Sequence, residues 1–385
     1  MVELLNVIFS GISIGSVLLI AALGLAVVFG LMGVINMAHG ELIMLGAYTT
    51  FVVQNVFKGL GSPLSETYII LAIPMAFLVT ASVGLLLERG VVRFLYGRPL
   101  ETLLATWGVS LILQQLVRSV NWVLVIGITL FCLLFFGAWW LVSRRPDFDR
   151  IRNLFFIIIL PLSAAISAVV GVVLAQTYKL AVTQPWFGAQ NVNVTAPKWL
   201  QGGLNLGDLR LPYTRLFIIF LTILCVAGIY YFFQRTAWGL RIRAVTQNRS
   251  MSACLGIPTQ KVDALTFALG SGLAGVAGCA ISLLGSVGPN TGQNYIVDTF
   301  MVVVVGGVGK LVGSIVAALA IGTVSYIIGS NALAPLLTPI PPLAEFFAFF
   351  ATTSMAKVMV FALIIVFLQV RPAGLFPQKG RTVDA

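Results

Sequence analysis

Two short polar stretches carry the side chains in this sequence that are best suited to bind or pass a small molecule. The first holds Asn36, His39 and Glu41 between glycines, at the end of a long apolar run. The second holds the uncharged residues Asn290, Thr291, Gln293 and Asn294. Amide and hydroxyl groups both donate and accept hydrogen bonds, so these stretches could line a path for a polar solute. The first stretch is also consistent with a simple turn in which Asn36 and Glu41 cap the next helix, and the second with an outer loop.

The sequence lacks the residue patterns that are typical of an enzyme or a metal site. His39 is the only histidine, no Ser or Cys lies beside it, and no acids are paired at helical spacing. The four cysteines show neither disulfide nor metal-ligand spacing. The string GGVGK resembles a phosphate-binding loop, but Val304 and Leu311 stand where that motif needs Gly and Ser or Thr. We therefore expect no catalytic residue, no metal, no cofactor and no nucleotide site in this chain.

Composition indicates that these polar stretches belong to a membrane protein. The 385 residues are 59% hydrophobic and 9% charged, with a mean hydropathy of +1.03. Long apolar runs without alternation cross a hydrocarbon core of ~30 Å as helices. The sequence thus predicts an all-α polytopic membrane protein of about 11 transmembrane helices, some of them short or broken. The net charge of +11 does not indicate nucleic acid, because the basic residues cluster at the ends of apolar runs.

These basic clusters predict the orientation of the chain. They lie at 89–98, 144–152, 235–261 and beyond residue 370, and cytoplasmic loops are enriched in Lys and Arg. We therefore expect an outside N-terminus and a cytoplasmic C-terminus. The apolar runs Trp122–Val142 and Leu154–Ala175 enclose four arginines and predict an inserted hairpin, with residues 121–184 forming this hairpin and the start of an outside loop.

Glycines at regular spacing predict where helices approach each other closely. Gly11 and Gly15 lie one helical turn apart in the first span, and Gly270, Ala274 and Gly278 repeat this spacing in a later one. Small residues in this register let two membrane helices pack backbone to backbone.

The longest basic segment between two apolar runs covers residues 234–263, and we expect it to lie in the cytoplasm. Its middle part, Val245–Leu255, has no proline and one charge, which predicts a helix of three turns that stops at Gly256 and Pro258. A short helix on the cytoplasmic face can be moved by a partner protein. The alternative is an ordinary loop that lies along the membrane.

Several strings resemble the permeases of ATP-binding-cassette (ABC) importers, above all those for branched-chain amino acids and urea. They are RAVTQNRSMSACLGI with the TFALGSGLAGVAG that follows it, AHGE, TLLATWGVSLILQQ and RPAGL. The resemblance covers nearly the whole chain except the insertion, so residues 1–385 form a single permease domain. It implies that 234–263 is a cytoplasmic coupling loop that docks into a groove of an ATPase subunit. The residues that it assigns to this docking are Arg243, Gln247, Asn248, Met251, Ala253, Leu255 and Gly256.

The resemblance further implies a permease subunit in a bacterial inner membrane, with ATP hydrolysis on separate subunits. The implied partners are a second homologous permease, two ABC ATPases, a periplasmic substrate-binding protein, a small neutral or zwitterionic solute and the lipid bilayer. Gln247 and Asn248 stand where amino acid permeases often carry two acids, and the second polar stretch offers no charge before Asp298. These departures favour urea as the solute, with a branched-chain amino acid or another small amide or amino acid as the alternative.

An ion-coupled transporter and a passive urea channel are the other functions to consider. Each requires an intramembrane carboxylate relay or a selectivity ring. Glu41 and Asp298 are the only candidates for such a role, and both lie next to glycine-rich turns. The ABC permease accounts for more of the sequence, because it also explains segment 234–263.

Overall fold

The computed structural model describes residues 2–61, 66–144, 148–178, 183–188, 190–206, 209–330, 349 and 352–376. Within these residues the chain forms 13 α-helices and one antiparallel β-hairpin. The helices are α1 (Val2–Met32), α2 (His39–Leu60), α3 (Tyr68–Gly90), α4 (Pro99–Ser119), α5 (Trp122–Val142), α6 (Phe148–Tyr178), α7 (Tyr213–Arg235), α8 (Ala237–Gln247), α9 (Arg249–Cys254), α10 (Thr259–Ser282), α11 (Thr291–Gly306), α12 (Leu311–Gly329) and α13 (Thr353–Val370). The hairpin pairs β1 (Gly203–Leu206) with β2 (Leu209–Pro212).

Many of these helices are suited to a bilayer. Among the described residues, eight helices are long and apolar enough to cross a membrane: α1, α3, α4, α5, α6, α7, α10 and α12. The predicted all-α polytopic fold with short helices is therefore confirmed. The count of about 11 spans stays a prediction.

Two compact units make up the chain, one of Met1–Leu111 with Val192–Ala385 and one of Ile112–Asn191. In the second unit α5 packs along α6 through aromatic side chains, and the rings of Trp139 and Phe156 lie 5.3 Å apart. No residue of α5 is buried, as expected of an apolar helix that faces lipid. The residues predicted as an inserted hairpin, 121–184, lie within this unit.

Helix α10 is the centre of the first unit, and most of its residues are buried. It packs on α1, α2 and α3. A Cβ atom at Gly270 would lie 2.6 Å from the carbonyl oxygen of Gly24. A Cβ atom at Gly278 would overlap the carbonyl oxygen of Ile43. The predicted close packing at the α10 glycines is thus confirmed, and only glycine allows this approach of backbones.

The first helix uses its glycines in the same way. A Cβ atom at Gly11 would meet the Cα atom of Thr323 at 2.7 Å, and one at Gly15 would meet the carbonyl oxygen of Ala318 at 2.9 Å. Both partners lie on α12, so the close approach predicted for this glycine pair is also confirmed. Helix α1 is consequently held between α10 and α12.

The two ends of the first unit differ in character. One end, here called the basic end, contains the α3–α4 turn, α8, α9 and the α11–α12 turn. The C-terminal segment also lies there, because the Leu375 amide donates a hydrogen bond to the Val305 carbonyl at 2.8 Å. The other, the hairpin end, carries the segment before β1. There Gln54 and Tyr68 donate to the Thr195 carbonyl at 2.6 and 2.8 Å.

Candidate functional site

The connection between α1 and α2 turns back into the interior of the first unit. Leu31, near the end of α1, packs against the Ile242–Val262 cluster at the basic end. His39, which begins α2, instead donates from Nε2 to the carbonyl oxygen of Ala21 at 3.0 Å. Ten helical residues from Ala21 to Leu31 span about 15 Å. Helix α2 therefore begins about halfway across a ~30 Å hydrocarbon core.

The polar side chains at this break are fully buried. Asn36 accepts from the Ala38 amide at 3.1 Å, and Glu41 Oε1 accepts from Ser110 Oγ at 3.1 Å. Among the described residues, Asn36 Nδ2 and His39 Nδ1 have no hydrogen-bond partner. Because His39 Nε2 donates, Nδ1 of the neutral ring is an acceptor. A buried donor and a buried acceptor with unused capacity are what a path for a polar solute would offer.

The second polar stretch reaches the same place from the hairpin end. After α10, Val287 pairs with Val192 of the segment before β1, and Thr291 Oγ1 accepts from the Gly288 amide at 2.8 Å. Helix α11 then begins, and its Gly292 lies directly against Gly40 of α2. The two predicted breaks thus meet in the interior of the first unit, although they are about 250 residues apart in sequence.

From this contact the two helices run in opposite directions. Helix α2 leads to Gln54 at the hairpin end, and α11 leads to Gly307 beside the C-terminal segment at the basic end. Discontinuous helices whose N-termini meet at mid-membrane are typical of solute sites in transporters. Each N-terminus carries partial positive charge from its free N–H groups, so the contact is suited to a solute with an anionic or carbonyl oxygen.

The seven predicted pathway residues are divided by this geometry. Four are buried around the Gly40–Gly292 contact: Asn36, His39, Glu41 and Thr291. The other three, Asn290, Gln293 and Asn294, are exposed on the surface of the first unit beside it. They are neighbours of the contact without being part of it.

An ion pair that sequence reasoning missed lies two turns further along α11. Lys357 Nζ and Asp298 Oδ2 are 2.8 Å apart, and the Lys357 ammonium also lies 3.5 Å from the Asn294 carbonyl oxygen. The pair lines a cavity of about 350 Å³ together with aliphatic side chains, among them Leu18 and Ile321. Asp298 was visible as an isolated acid, but nothing in the sequence indicates that α13 brings a lysine to it.

The segment 234–263, predicted as the coupling loop, contains two short helices, α8 and α9, between the end of α7 and the start of α10. Thr236 caps α8, and Asn248 caps α9 by accepting from the Met251 amide at 2.9 Å. The predicted continuous helix Val245–Leu255 is therefore wrong, because Asn248 adopts an extended backbone and its side chain competes for a helical N–H group. The predicted stop is confirmed: Gly256 has φ +79°, and Ile257 donates to the Ser252 carbonyl at 3.0 Å.

Most residues assigned to ATPase docking lie together on the surface of this segment. The exposed ones are Gln247, Asn248, Met251, Ala253, Leu255 and Gly256. The side chains of Met251 and Leu255 are apolar and 58% and 75% exposed, and exposed apolar side chains that cluster at one place indicate a partner. Arg243 lies apart from this patch, in a cavity between α1 and α7.

A second set of missed residues ties α9 to the transmembrane helices. Arg249 Nη2 contacts Asp263 Oδ2 of α10 at 2.5 Å, and its guanidinium lies 5.1 Å above the Tyr96 ring. Tyr96, in the α3–α4 turn, donates to Glu88 Oε1 of α3 at 3.1 Å. Burial and the nearby Asp263 and Glu88 carboxylates raise the pKa of the Tyr96 hydroxyl, so it remains a donor at neutral pH.

Comparison with known proteins gives matches along most of the chain. A sequence profile of the family described as "Branched-chain amino acid transport system / permease component" matches residues 7–368. The branched-chain amino acid transport permease BraD of Pseudomonas aeruginosa is 24% identical over 320 residues, which cover 83% of this chain and 84% of BraD. LivH of Salmonella typhimurium, which carries the same description, is 23% identical over 373 residues, covering 96% of this chain and 94% of LivH.

A shorter match reaches a different transport system. The ribose import permease RbsC of Bacillus subtilis is 30% identical over 99 residues, which cover 24% of this chain and 31% of RbsC. No solved structure matches. All of these relatives are described as transport permeases. Since the family profile spans almost the entire length, this multi-pass membrane protein belongs to the family of permease components of branched-chain amino acid transport systems.

Proposed function

We propose that this chain is the membrane-spanning permease subunit of an ATP-driven importer of branched-chain amino acids. The prediction of urea finds no support among the relatives, whereas BraD and LivH are named for branched-chain amino acid transport. The sequence argument for urea relied on an absence of charge near the second polar stretch. The Asp298–Lys357 pair removes that argument and is the observation that carries this proposal. A zwitterion needs an acid and a base, and a branched side chain needs the aliphatic surface beside them.

ATP hydrolysis is assigned to partner subunits that dock at the exposed patch of α8 and α9. A movement of α9 would pass through Arg249 and Asp263 into α10. The glycines of α10 lie directly against the backbones of α1 and α2. A displacement of α10 would therefore move α2 relative to α11. We infer that this shift opens and closes the solute path at the Gly40–Gly292 contact.

The remaining partners follow from the two ends of the molecule. We assign the basic end to the cytoplasm and the hairpin end to the outside, where a periplasmic binding protein would deliver the solute. The loop around Thr195 is fixed to α2 and α3 by the hydrogen bonds from Gln54 and Tyr68, and an ordered loop of this kind is suited to bind a protein partner. A second permease subunit would complete the assembly in the inner membrane.

The orientation can be tested with single cysteines in a background without the four natural ones. Ser143→Cys, at the exposed end of α5, should resist a membrane-impermeant maleimide in intact cells and react after permeabilisation. Asn205→Cys, in the exposed part of β1, is the matched control and should react in intact cells. Labelling of Ser143→Cys from outside would invert the proposed arrangement.

The solute can be tested by reconstituting the complex with its neighbouring subunits and measuring ATP-dependent uptake of labelled leucine and urea. We expect leucine uptake without urea uptake. Asp298→Asn should lower leucine uptake by about tenfold or more, equivalent to ~1.4 kcal/mol, because the ion pair is lost. Glu101→Gln, which breaks the exposed pair with Arg98, is the control and should transport normally. Urea uptake without leucine uptake would refute the proposal.

A further inference from the structure

A cavity of about 780 Å³ opens at the basic end between α1, α7 and the α11–α12 turn. Its wall is mainly apolar and includes Leu23, Val27, Ile229, Phe233, Leu311 and Phe376. The cavity is separate from the proposed solute path and from the exposed patch of α8 and α9. An apolar cavity at the surface of a membrane protein is a place where a hydrocarbon chain can enter.

Two cations line the same cavity. Arg243 donates from Nη1 to Gln234 Oε1 at 3.1 Å, but its buried Nε has no partner among the described residues. Lys310 is exposed, and in the part of the chain that the structure describes neither cation is paired with a carboxylate. Cations without counter-ions beside an apolar cavity attract a molecule that combines negative charge with hydrocarbon.

We propose that this cavity binds an anionic phospholipid, with an acyl chain between α1 and α7 and its phosphate at Arg243 and Lys310. The acyl chain alone gives little preference, because the bilayer offers it equally apolar surroundings. Selection comes from the headgroup, and two basic residues at the membrane surface predict a preference for anionic over zwitterionic lipid of about 30-fold.

The chain itself offers no better occupant. Residues 377–385, PQKGRTVDA, follow Phe376 at the edge of the cavity. They contain two bases, Lys379 and Arg381, against one acid, Asp384, and Val383 is their one large aliphatic side chain. A basic, polar peptide suits neither the apolar wall nor the two cations. The lipid, in contrast, satisfies both. Since Arg243 belongs to α8, a bound lipid would hold the first helix of the coupling segment against α1.

The test uses the full chain in nanodiscs and measures competition between fluorescent phosphatidylglycerol and unlabelled lipids. Phosphatidylglycerol should displace the probe at a concentration about 30-fold lower than phosphatidylcholine. Arg243→Gln with Lys310→Gln should abolish this difference. Arg241→Gln, which removes an exposed arginine that contacts Trp238 on the same helix, is the control and should retain it.

Two further arms identify the source of the binding. Val312→Trp, at an exposed position on the cavity wall, narrows the cavity without changing a charge and should weaken retention of both lipids. Inorganic phosphate and glycerol phosphate should not displace the probe. Equal retention of both lipids by the unmodified protein, or displacement by inorganic phosphate at the concentration of the lipid, would overturn the proposal.

Discussion

The Gly292→Val variant is expected to lose all measurable solute import. A Cβ atom at this position would lie 2.6 Å from the Gly40 carbonyl oxygen and 2.7 Å from Glu41 Oε2. Protein interiors cannot absorb such an overlap without moving the backbone, and overpacking of this kind costs about 1–3 kcal/mol. Helices α2 and α11 would have to separate where we place the solute path. ATP-dependent leucine uptake by the reconstituted complex measures the loss.

Gly285→Val serves as the matched control, because a Cβ atom there meets no atom within 4 Å and the residue lies in the same connection before α11. It should import normally. Size-exclusion chromatography of both variants shows whether the complex still assembles. An assembled Gly292→Val complex with normal import would mean that the path does not pass this contact.

Arg249→Gln is expected to uncouple the rate of ATP hydrolysis from the presence of solute. The change leaves the Asp263 side chain, which is 5% exposed, without its cation and releases α9 from the α3–α4 turn. Coupling between two sites is typically ~1–3 kcal/mol, so stimulation of ATP hydrolysis by the loaded binding protein should fall by roughly 5- to 150-fold. Basal hydrolysis should persist, because the ATPase subunits are unchanged.

Two variants distinguish lost coupling from lost stability. Arg249→Gln with Asp263→Asn removes the buried uncompensated charge and should recover thermal stability without recovering stimulation. Arg98→Gln breaks an exposed pair with Glu101 at the same basic end and should leave both properties unchanged, since such pairs contribute ~0–1 kcal/mol. Full stimulation in the Arg249→Gln complex would show that coupling takes another route.

The sequence predicts those parts of the fold that depend on local pattern. The bounds of α5, Trp122–Val142, follow from an apolar run between Asn121 and a basic segment, and the glycine spacing in α1 and α10 predicts their close contacts. Hydropathy does not reveal the depth of a polar break, however. That α2 begins beside Ala21 depends on how α1 and α10 pack, which no local pattern records.

The two ion pairs that sequence reasoning missed share one property: each joins residues of different helices. Arg249 and Lys357 are basic residues whose acids, Asp263 and Asp298, lie on other helices. In a membrane protein a basic residue is first interpreted as a marker of orientation, and its pairing depends on tertiary structure. Asn248 is different, because a local signal was present. Asn is a preferred residue at the N-terminal cap of a helix, so Asn248 indicates that a helix begins at Arg249. The prediction ran one helix through Asn248 because the neighbouring residues have good helix propensity.

The contact of Gly40 with Gly292 also limits how this protein could acquire a new substrate. At each glycine the nearest obstacle to a side chain is the backbone carbonyl oxygen of the opposite glycine. A second substitution changes a side chain and cannot remove a backbone atom. No compensating pair of substitutions can therefore create space for a side chain at either position. Any change in solute preference must therefore arise from the side chains around the crossing, such as those near Asp298 and Lys357, while Gly40 and Gly292 themselves stay unchanged.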